Sequence, residues 1–251
     1  MSAPRADLRA TWLGRREYVG AWRLQEAVAE RVRAGGPARL LLLEHDPVYT
    51  IGRSGSLENL LASADELRRV GATAYRVDRG GDITYHGPGQ LVGYPILALG
   101  FGPDLVAHIR TLEGALRDLL AGYGVGGRAI ARKTGVWVDL PDGRVAKIAA
   151  IGVRVSRGVS THGFALNVTT DLAAFARMIP CGFAHEVTSL ASLGVVTSVP
   201  EVAERCAAAL ARRFGRGLAW DASLPEVSDA EIAERAPVRG AVDLVAARSA
   251  A

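Results

Sequence analysis

The order of helical and strand-like segments most restricts what this chain can fold into. Apolar residues recur at helical spacing in five segments, residues 17–33, 64–70, 104–121, 171–178 and 199–214. Short apolar or alternating runs, typical of strands, occupy residues 39–44, 48–52, 73–77, 128–132, 136–139, 145–155 and 163–168. Strands and helices do not alternate regularly. The sequence therefore predicts an α+β fold with a mixed or antiparallel sheet and flanking helices.

Local signals define several of these elements and the domain organisation. Apolar residues along the third helix recur at spacings typical of one buried face: Leu105, Ile109, Leu112, Leu116 and Leu119. The turn Pro141-Asp142-Gly143 joins the strands 136–139 and 145–155 as a hairpin. No repeat or long linker interrupts the chain, and the apolar pattern fades beyond about residue 216. We predict a single domain over residues 8–216 and a peripheral C-terminal tail over residues 217–251.

Composition excludes several classes of protein. The 251 residues are 49% hydrophobic and 22% charged, which is typical of a globular protein. A net charge of +4, spread along the chain, does not indicate a nucleic-acid-binding protein but suits an acidic protein partner. The sequence contains neither a membrane-spanning apolar run nor the apolar region of a signal peptide. Cys181 and Cys206 make no disulfide framework or zinc cluster, so we expect a cytoplasmic protein with reduced thiols.

Lysine is scarce in this chain. Of the 30 lysine and arginine residues, only Lys133 and Lys147 are lysine. A coding bias explains the ratio, and either chance or chemistry can preserve a lysine under such a bias. Lysine releases its proton near neutral pH when its surroundings favour the uncharged amine, whereas arginine does not. Lys147 begins an almost entirely apolar strand, so it is either a partly desolvated base or a lysine extending from a strand edge. Lys133, ahead of a strand, is interpreted as an ordinary surface residue.

The two cysteines lie in different contexts. Cys206 shares one face of the last helix with Val202 and Leu210, so we predict a buried thiol. Cys181 lies between Pro180 and a glycine just past a short helix, and is either a packed loop thiol or a reactive one. A helix C-terminus disfavours a thiolate, so a reactive Cys181 requires a nearby histidine or lysine that accepts its proton.

Residues 79–90, RGGDITYHGPGQ, combine an arginine, paired glycines and a histidine within a short segment. Paired glycines let a ligand approach the backbone closely, and the alternative is a hairpin with exposed polar residues. Small residues after Lys147 leave room for an apolar, chain-like ligand. We interpret residues 162–165 as a second wall of the same pocket. The G-x-G-x-x-G run at 122–127 follows a helix and precedes a strand, which is the reverse of a dinucleotide-binding site, so we interpret it as a loop.

Four segments together resemble one family, the lipoyl(octanoyl) transferases. They are EHDPVYTIGRSG (44–55), RGGDITYHGPGQLVGYPIL (79–97), KIAAIGVRVSRGVSTHGFALNV (147–168) and IPCGF with VTSL (179–190). The resemblance covers roughly residues 8–215 and departs from the family pattern at Asp46 and Ser54. It implies the biotin/lipoate protein ligase-like α+β fold.

The resemblance also implies roles for particular residues. Cys181 matches the nucleophile that forms an acyl-thioester, and Lys147 matches the lysine that activates it. Three segments match the acyl-substrate-binding residues: Arg79, Gly80, Gly81, Asp82, Ile83, Thr84, Tyr85 and His86; Ala150, Ile151 and Gly152; Gly163, Phe164 and Ala165. The resemblance implies no metal and no cofactor, and no ATP either, because a thioester substrate is already activated.

The implied activity is transfer of an octanoyl group from octanoyl-acyl carrier protein to a lysine of lipoyl domains, the first step of protein lipoylation. The implied acceptors are the glycine-cleavage H protein and E2 subunits of 2-oxoacid dehydrogenases, with no nucleic-acid or membrane partner, and a monomer is expected. One alternative is an ATP-dependent lipoate or octanoate–protein ligase of the same fold, which needs no nucleophilic cysteine. Another is a non-catalytic binding protein, which needs neither Cys181 nor Lys147.

Overall fold

Two β-sheets and four α-helices make up the part of the chain described by this computed structural model, residues 5–179, 186–224 and 242–245. The helices are α1 (Tyr18–Arg33), α2 (Ala64–Arg69), α3 (Leu105–Ala121) and α4 (Val199–Arg213). The strands are β1 (Arg5–Arg16), β2 (Arg39–His45), β3 (Val48–Ile51), β4 (Thr73–Arg76), β5 (Ile83–His86), β6 (Gln90–Ile96), β7 (Gly127–Ile130), β8 (Lys133–Asp139), β9 (Val145–Ser156), β10 (Val159–Asn167), β11 (Glu186–Val187), β12 (Arg216–Trp220) and β13 (Val242–Asp243).

The larger sheet is mixed, with strand order β12-β1-β2-β6-β10-β9-β8-β7 and with β11 added parallel to β9. Its β12-β1-β2 side is parallel, and the ladder from β2 through β7 is antiparallel. The smaller sheet has the order β13-β4-β3-β5. The architecture confirms the predicted α+β fold with a mixed sheet and flanking helices.

The helices cover both faces of the larger sheet, and strand β2 shows why. Alternate residues of a strand point to opposite faces. Leu40 and Leu42 therefore pack with α3 and α4, whereas Leu41 and Leu43 pack with α1. A strand that is buried on both faces has a continuous run of apolar residues, and such a run predicted β2 from the sequence. Cys206 lies on the buried face of α4 and is fully buried, as its helical spacing predicts.

Several elements differ from the sequence-based prediction. Six strands of the described residues were not among the predicted ones: β1, β5, β6, β11, β12 and β13. The predicted short helix at 171–178 is a 3-10 helix over Leu172–Arg177. The predicted boundary at residue 216 falls inside β12, which pairs with β1 in the larger sheet. Leu244 and Val245 are buried in the core of the smaller sheet, so these described parts of the C-terminal segment are packed rather than peripheral. No helix in the described ranges is long and apolar enough to cross a membrane.

Candidate active site

A cavity of about 240 Å³, lined from both sheets, brings the predicted acyl-binding segments together. All of those residues line it except Gly80 and Tyr85. Tyr85 lies on the opposite face of β5 and packs in the core of the smaller sheet, because neighbouring residues of a strand alternate in direction. The N–H of Gly80 donates to the carbonyl of Val153 at 3.0 Å, so this residue fastens the segment to β9.

The register between β9 and β10 makes one wall of the cavity. Gly152 pairs with Gly163, and Ile151 and Ala150 pair with Phe164 and Ala165, so two predicted segments form a single antiparallel ladder. A Cβ atom at Gly152 would lie only 2.9 Å from the carbonyl oxygen of Gly80. The glycine therefore allows the segment that begins at Arg79 to lie directly against this wall.

A β-bulge turns Lys147 into the cavity. Trp137 pairs with Lys147, but the preceding residue, Val136, pairs with Ala149, so one residue of β9 is extra. Such a bulge breaks the alternation of side chains along a strand. Ala149 consequently packs in the main core, while Lys147 lines the cavity together with Ala150. Without the extra residue, Lys147 and Ala149 would point to the same side of the sheet.

The side chain of Lys147 lies over an aromatic ring. Its Nζ is 4.6 Å from the centre of the Trp137 ring, and the Nζ of Lys133 is 5.7 Å from the same centre. The negative face of an indole attracts an ammonium group at such distances. The indole N–H donates to the carbonyl of Lys133 at 3.0 Å, which fixes the ring plane. Both lysines of the chain therefore line one cavity. Lys133 is exposed, in agreement with its interpretation as a surface residue, and it also lines this cavity.

A buried carboxylate fixes the strand beneath Lys147. Glu113 of α3 is 2% exposed and accepts a hydrogen bond from the N–H of Gly135 at 3.1 Å, while Arg110 forms an ion pair with it. Gly135 has a φ of +122°, and a Cβ there would meet the carbonyl oxygen of Ala149 at 2.5 Å. Helix α3 thus holds β8 at a close approach to the bulge in β9.

A chain of hydrogen bonds fixes the segment from Arg79 to His86. Arg79 is buried and donates from Nη2 to the carbonyl oxygen and to Oγ1 of Thr50, at 2.6 and 2.9 Å. Gln90 uses its amide group to donate to Tyr85 and to Asn167, so its Oε1 accepts from Nδ1 of His86 at 2.8 Å. The Nε2 of His86 is then the unprotonated nitrogen, 3.5 Å from Oγ1 of Thr50.

The same chain of hydrogen bonds reaches the strand that carries Lys147. Asn167 donates to the carbonyl of Thr188 at 3.0 Å, and the N–H of Thr188 donates to the carbonyl of Lys147 at 3.0 Å. Burial, reinforced by the positive charge of Arg79, holds the pKa of His86 well below its ordinary value. His86 is therefore neutral near pH 7, and its hydrogen bonds make it part of the rigid frame of the cavity.

Another wall of the cavity carries buried aromatic and histidine side chains. His162 has a φ of +56°, and its ring donates to Asp78 at 2.8 Å. Burial lowers the pKa of His162 more than Asp78 raises it. Tyr94 hydrogen bonds at 2.7 Å to His45, whose pKa burial lowers to about 4. His162 and Tyr94 therefore each have a fixed hydrogen-bond partner, and the lowered pKa values leave both histidines neutral near pH 7.

Cys181 lies outside the described residues, but both flanks of its segment line the cavity. Met178 precedes the segment and Val187 follows it. Met178 is anchored by a bridge to Leu60, and Val187 pairs with Lys147 itself through β11. The segment that contains Cys181 therefore leaves and rejoins the described structure at the cavity.

The sequence matches the family described as Lipoyl protein ligase A/B catalytic domain over residues 17–211. An octanoyltransferase from Solibacter usitatus is 50% identical over 214 residues, which are 84% of this chain and 95% of the relative. An octanoyltransferase from Mycolicibacterium gilvum is 46% identical over 228 residues, 89% of this chain and 93% of the relative. This chain belongs to the octanoyltransferase family. It is accordingly an acyltransferase, as the sequence motifs predicted.

Solved structures share the fold of this family member. Lipoate-protein ligase A bound with ATP superposes with a TM-score of 0.69 at 18% identity, over 90% of this chain and 92% of the other. A putative lipoate protein ligase from T. acidophilum gives 0.68 at 20% identity, over 90% and 92%. Likeness at such low identity shows the common fold, and it confirms the lipoate protein ligase-like architecture predicted from the motifs.

Sequence reasoning missed several residues of the cavity. Tyr18 and Trp137 line it and belong to none of the four family segments. Tyr94, Thr50 and Asn167 lie within those segments, but the sequence assigned them no role; Tyr94 lines the cavity, and Thr50 and Asn167 hydrogen bond to residues that position it. A usable signal existed for Trp137. Counting outward from the predicted Pro141-Asp142-Gly143 turn pairs Trp137 with Lys147, as the structure does.

Proposed function

We propose that this octanoyltransferase moves an octanoyl group from octanoyl-acyl carrier protein to a lysine of a lipoyl domain through an acyl-thioester on Cys181. One observation carries the proposal. Lys147 is turned into the cavity by a β-bulge, and both flanks of the segment that contains Cys181 line that cavity. The cavity offers apolar contacts to an acyl chain through Ile151, Phe164 and other residues.

The first step exchanges one thioester for another. Lys147 accepts the proton of the Cys181 thiol, and the resulting ammonium stabilises the thiolate. The thiolate attacks the carbonyl carbon of the donor thioester, the carbon–sulfur bond to the carrier breaks, and the carrier thiol leaves with a proton returned by Lys147. Exchange between two thioesters is close to neutral in free energy, so no ATP is consumed.

The second step forms the amide. The neutral amine of the acceptor lysine attacks the acyl-enzyme carbonyl, and the bond to the Cys181 sulfur breaks. The amine loses one proton, which Lys147 accepts and passes to the departing sulfur. Lys147 must gain and lose a proton in each step, and arginine holds its proton too tightly for that role.

Acyl transfer assayed with two sources of octanoate tests this proposal. The purified chain is mixed with a lipoyl domain and either octanoyl-acyl carrier protein, or free octanoate with ATP and Mg²⁺, and the lipoyl domain is weighed by mass spectrometry. We expect octanoylation from the carrier protein alone. Octanoylation only from free octanoate and ATP would contradict the proposal and establish a ligase, and no octanoylation from either source would favour a binding protein.

A further inference from the structure

Both lysines of this chain line the same cavity, and both lie within 6 Å of the centre of one indole ring. Lys147 has a role in the proposed mechanism, whereas Lys133 has none. Lys133 begins β8 directly after Arg132, whose φ of +63° is rare for a residue with a side chain. Arg132 and Lys133 line the cavity and are exposed, so they lie at its entrance, next to Trp137.

The entrance is strongly positive. Arg79, Arg132, Lys133 and Lys147 are the cationic lining residues, and among the described residues the one carboxylate that lines the cavity is Asp82. That carboxylate already accepts hydrogen bonds from the N–H of Ile83 and from the amide of Asn59. Arg79 is committed to Thr50, so Arg132 and Lys133 carry the exposed positive charge of the entrance.

A carrier-protein thioester donor would bring an anion to this entrance. With the acyl chain in the apolar part of the cavity and its carbonyl near Lys147, the remainder of the donor extends outward, past Trp137. In a carrier-protein donor that remainder is a pantetheine arm that ends in a phosphate. Lysine and arginine bind phosphate through charge-assisted hydrogen bonds.

We propose that Arg132 and Lys133 form a subsite for the phosphate of the donor's pantetheine arm. This inference rests on the proposed function, because it assumes a thioester donor. The proposal assigns Lys133 to substrate binding rather than to proton transfer. An arginine at this position would supply the positive charge equally well.

Two small donors that differ only in the phosphate test the subsite. They are octanoyl-4′-phosphopantetheine and octanoyl-pantetheine, and the measured quantity is the ratio of their kcat/KM values for transfer to a lipoyl domain. We expect a ratio of about three to five in the wild type, as for an exposed ion pair. Lys133→Ala should lower the ratio, replacing both Arg132 and Lys133 by alanine should bring it close to one, and Lys133→Arg should retain the wild-type ratio. High salt should also lower the wild-type ratio.

Arg128→Ala is the matched control. Arg128 is an exposed arginine on the neighbouring strand β7, paired with Asp139 and not part of the cavity lining, so its removal should leave the ratio unchanged. A wild-type ratio of one, or a ratio that Lys133→Ala does not alter, would overturn the subsite. So would a Lys133→Ala defect seen only as a raised KM for the lipoyl domain, because that result would assign the entrance to the acceptor.

Binding without catalysis separates this inference from the proposed function. Isothermal titration calorimetry with unacylated 4′-phosphopantetheine and with pantetheine requires no transfer reaction. Tighter binding of the phosphorylated compound, reduced in Lys133→Ala, would support the subsite even if the chain transferred no octanoyl group. Equal binding of the two compounds would refute it even in an active enzyme.

Discussion

Lys147 shows how much of a side chain's role depends on its partners across a strand pair. The sequence places it at the start of an apolar strand, which is compatible with a core-facing or an edge position. One extra residue in β9 turns it to the cavity side, and the Trp137 ring supports its ammonium group. Under the proposed mechanism, the choice of lysine over arginine has a chemical reason, because the mechanism requires a group that exchanges a proton at this position.

Replacing Lys147 by arginine tests that reason at the scale of one residue. Lys147→Arg retains the positive charge but removes the exchangeable proton. We expect kcat/KM for octanoyl transfer to fall by about 100-fold or more, which is typical for loss of a general base. The thermal unfolding midpoint, followed by circular dichroism, should stay close to that of the wild type. Near-normal turnover in Lys147→Arg would show that Lys147 transfers no proton.

At the scale of elements, the β8–β9 hairpin positions Lys147. Two glycines of this hairpin allow the cost of steric overlap to be measured separately from the cost of a positive φ. Both Gly135 and Gly143 have positive φ, +122° and +84°. A Cβ at Gly135 would be 2.5 Å from the carbonyl oxygen of Ala149, whereas none of the described atoms lies within 4 Å of one at Gly143. Replacing Gly143 by alanine therefore measures only the free-energy cost of a positive φ in a residue with a side chain.

We expect Gly135→Ala to lower the free energy of unfolding by about 2–4 kcal/mol, because steric overlap adds to backbone strain. Gly143→Ala should cost about 1 kcal/mol. Urea unfolding measures both, and octanoyl transfer should fall in Gly135→Ala alone because β8 and Trp137 are displaced. Equal losses of stability in the two variants would mean that the approach of β8 to β9 is not sterically restricted.

The sequence predicted those elements whose signals are local. The helices begin at side-chain caps, such as Ser198 for α4, and carry a continuous apolar face, so their bounds agree to within about two residues. The hairpin follows from its turn. Strands β1, β5 and β12 were missed because their stability comes from partners distant in the chain, as in the pairing of β1 with β12.

The residues of the candidate site that belong to recognisable motifs could be predicted from the sequence. The hydrogen bonds that hold those residues in place could not. Arg79, Lys147 and the paired glycines were found in the sequence. Thr50, Gln90 and Asn167, which fasten those residues together, come from three different strands and share no spacing. The bulge that turns Lys147 depends on a one-residue mismatch between strands, which alternation alone does not reveal.

At the scale of the whole molecule, four buried histidines link stability to pH. Burial lowers the pKa of His86, His108 and His162, and lowers that of His45 to about 4. Below about pH 6.5 the unfolded chain therefore binds more protons than the folded protein. The free energy of unfolding should fall as the pH drops from about 6.5 toward 4, by up to about 1.4 kcal/mol per pH unit for each histidine.

Urea unfolding at several pH values between 7 and 5 measures this dependence. The variant His108→Leu provides a control, because Nε2 of His108 is buried with no hydrogen-bond partner among the described residues. Its slope against pH should decrease by one proton while its stability at pH 7 is retained. A wild-type free energy of unfolding that does not change between pH 7 and pH 5 would contradict the assignment of these histidines as neutral.

Residues of the two sheets line the cavity, which has apolar side chains such as Ile151 and Phe164 and exposed cations at Arg132 and Lys133. Met178 and Val187, which flank the segment that contains Cys181, both line that cavity. The central claim is therefore that the octanoyl group is held covalently on this cysteine between donor and acceptor.

Mass spectrometry of the enzyme mixed with octanoyl-acyl carrier protein, before any lipoyl domain is added, tests this claim most directly. We predict a mass increase of one octanoyl group, mapped by proteolysis to Cys181, absent in Cys181→Ala, and discharged when a lipoyl domain is added. An unmodified enzyme that still octanoylates the lipoyl domain, or a Cys181→Ala variant that retains substantial transfer, would contradict the acyl-enzyme mechanism.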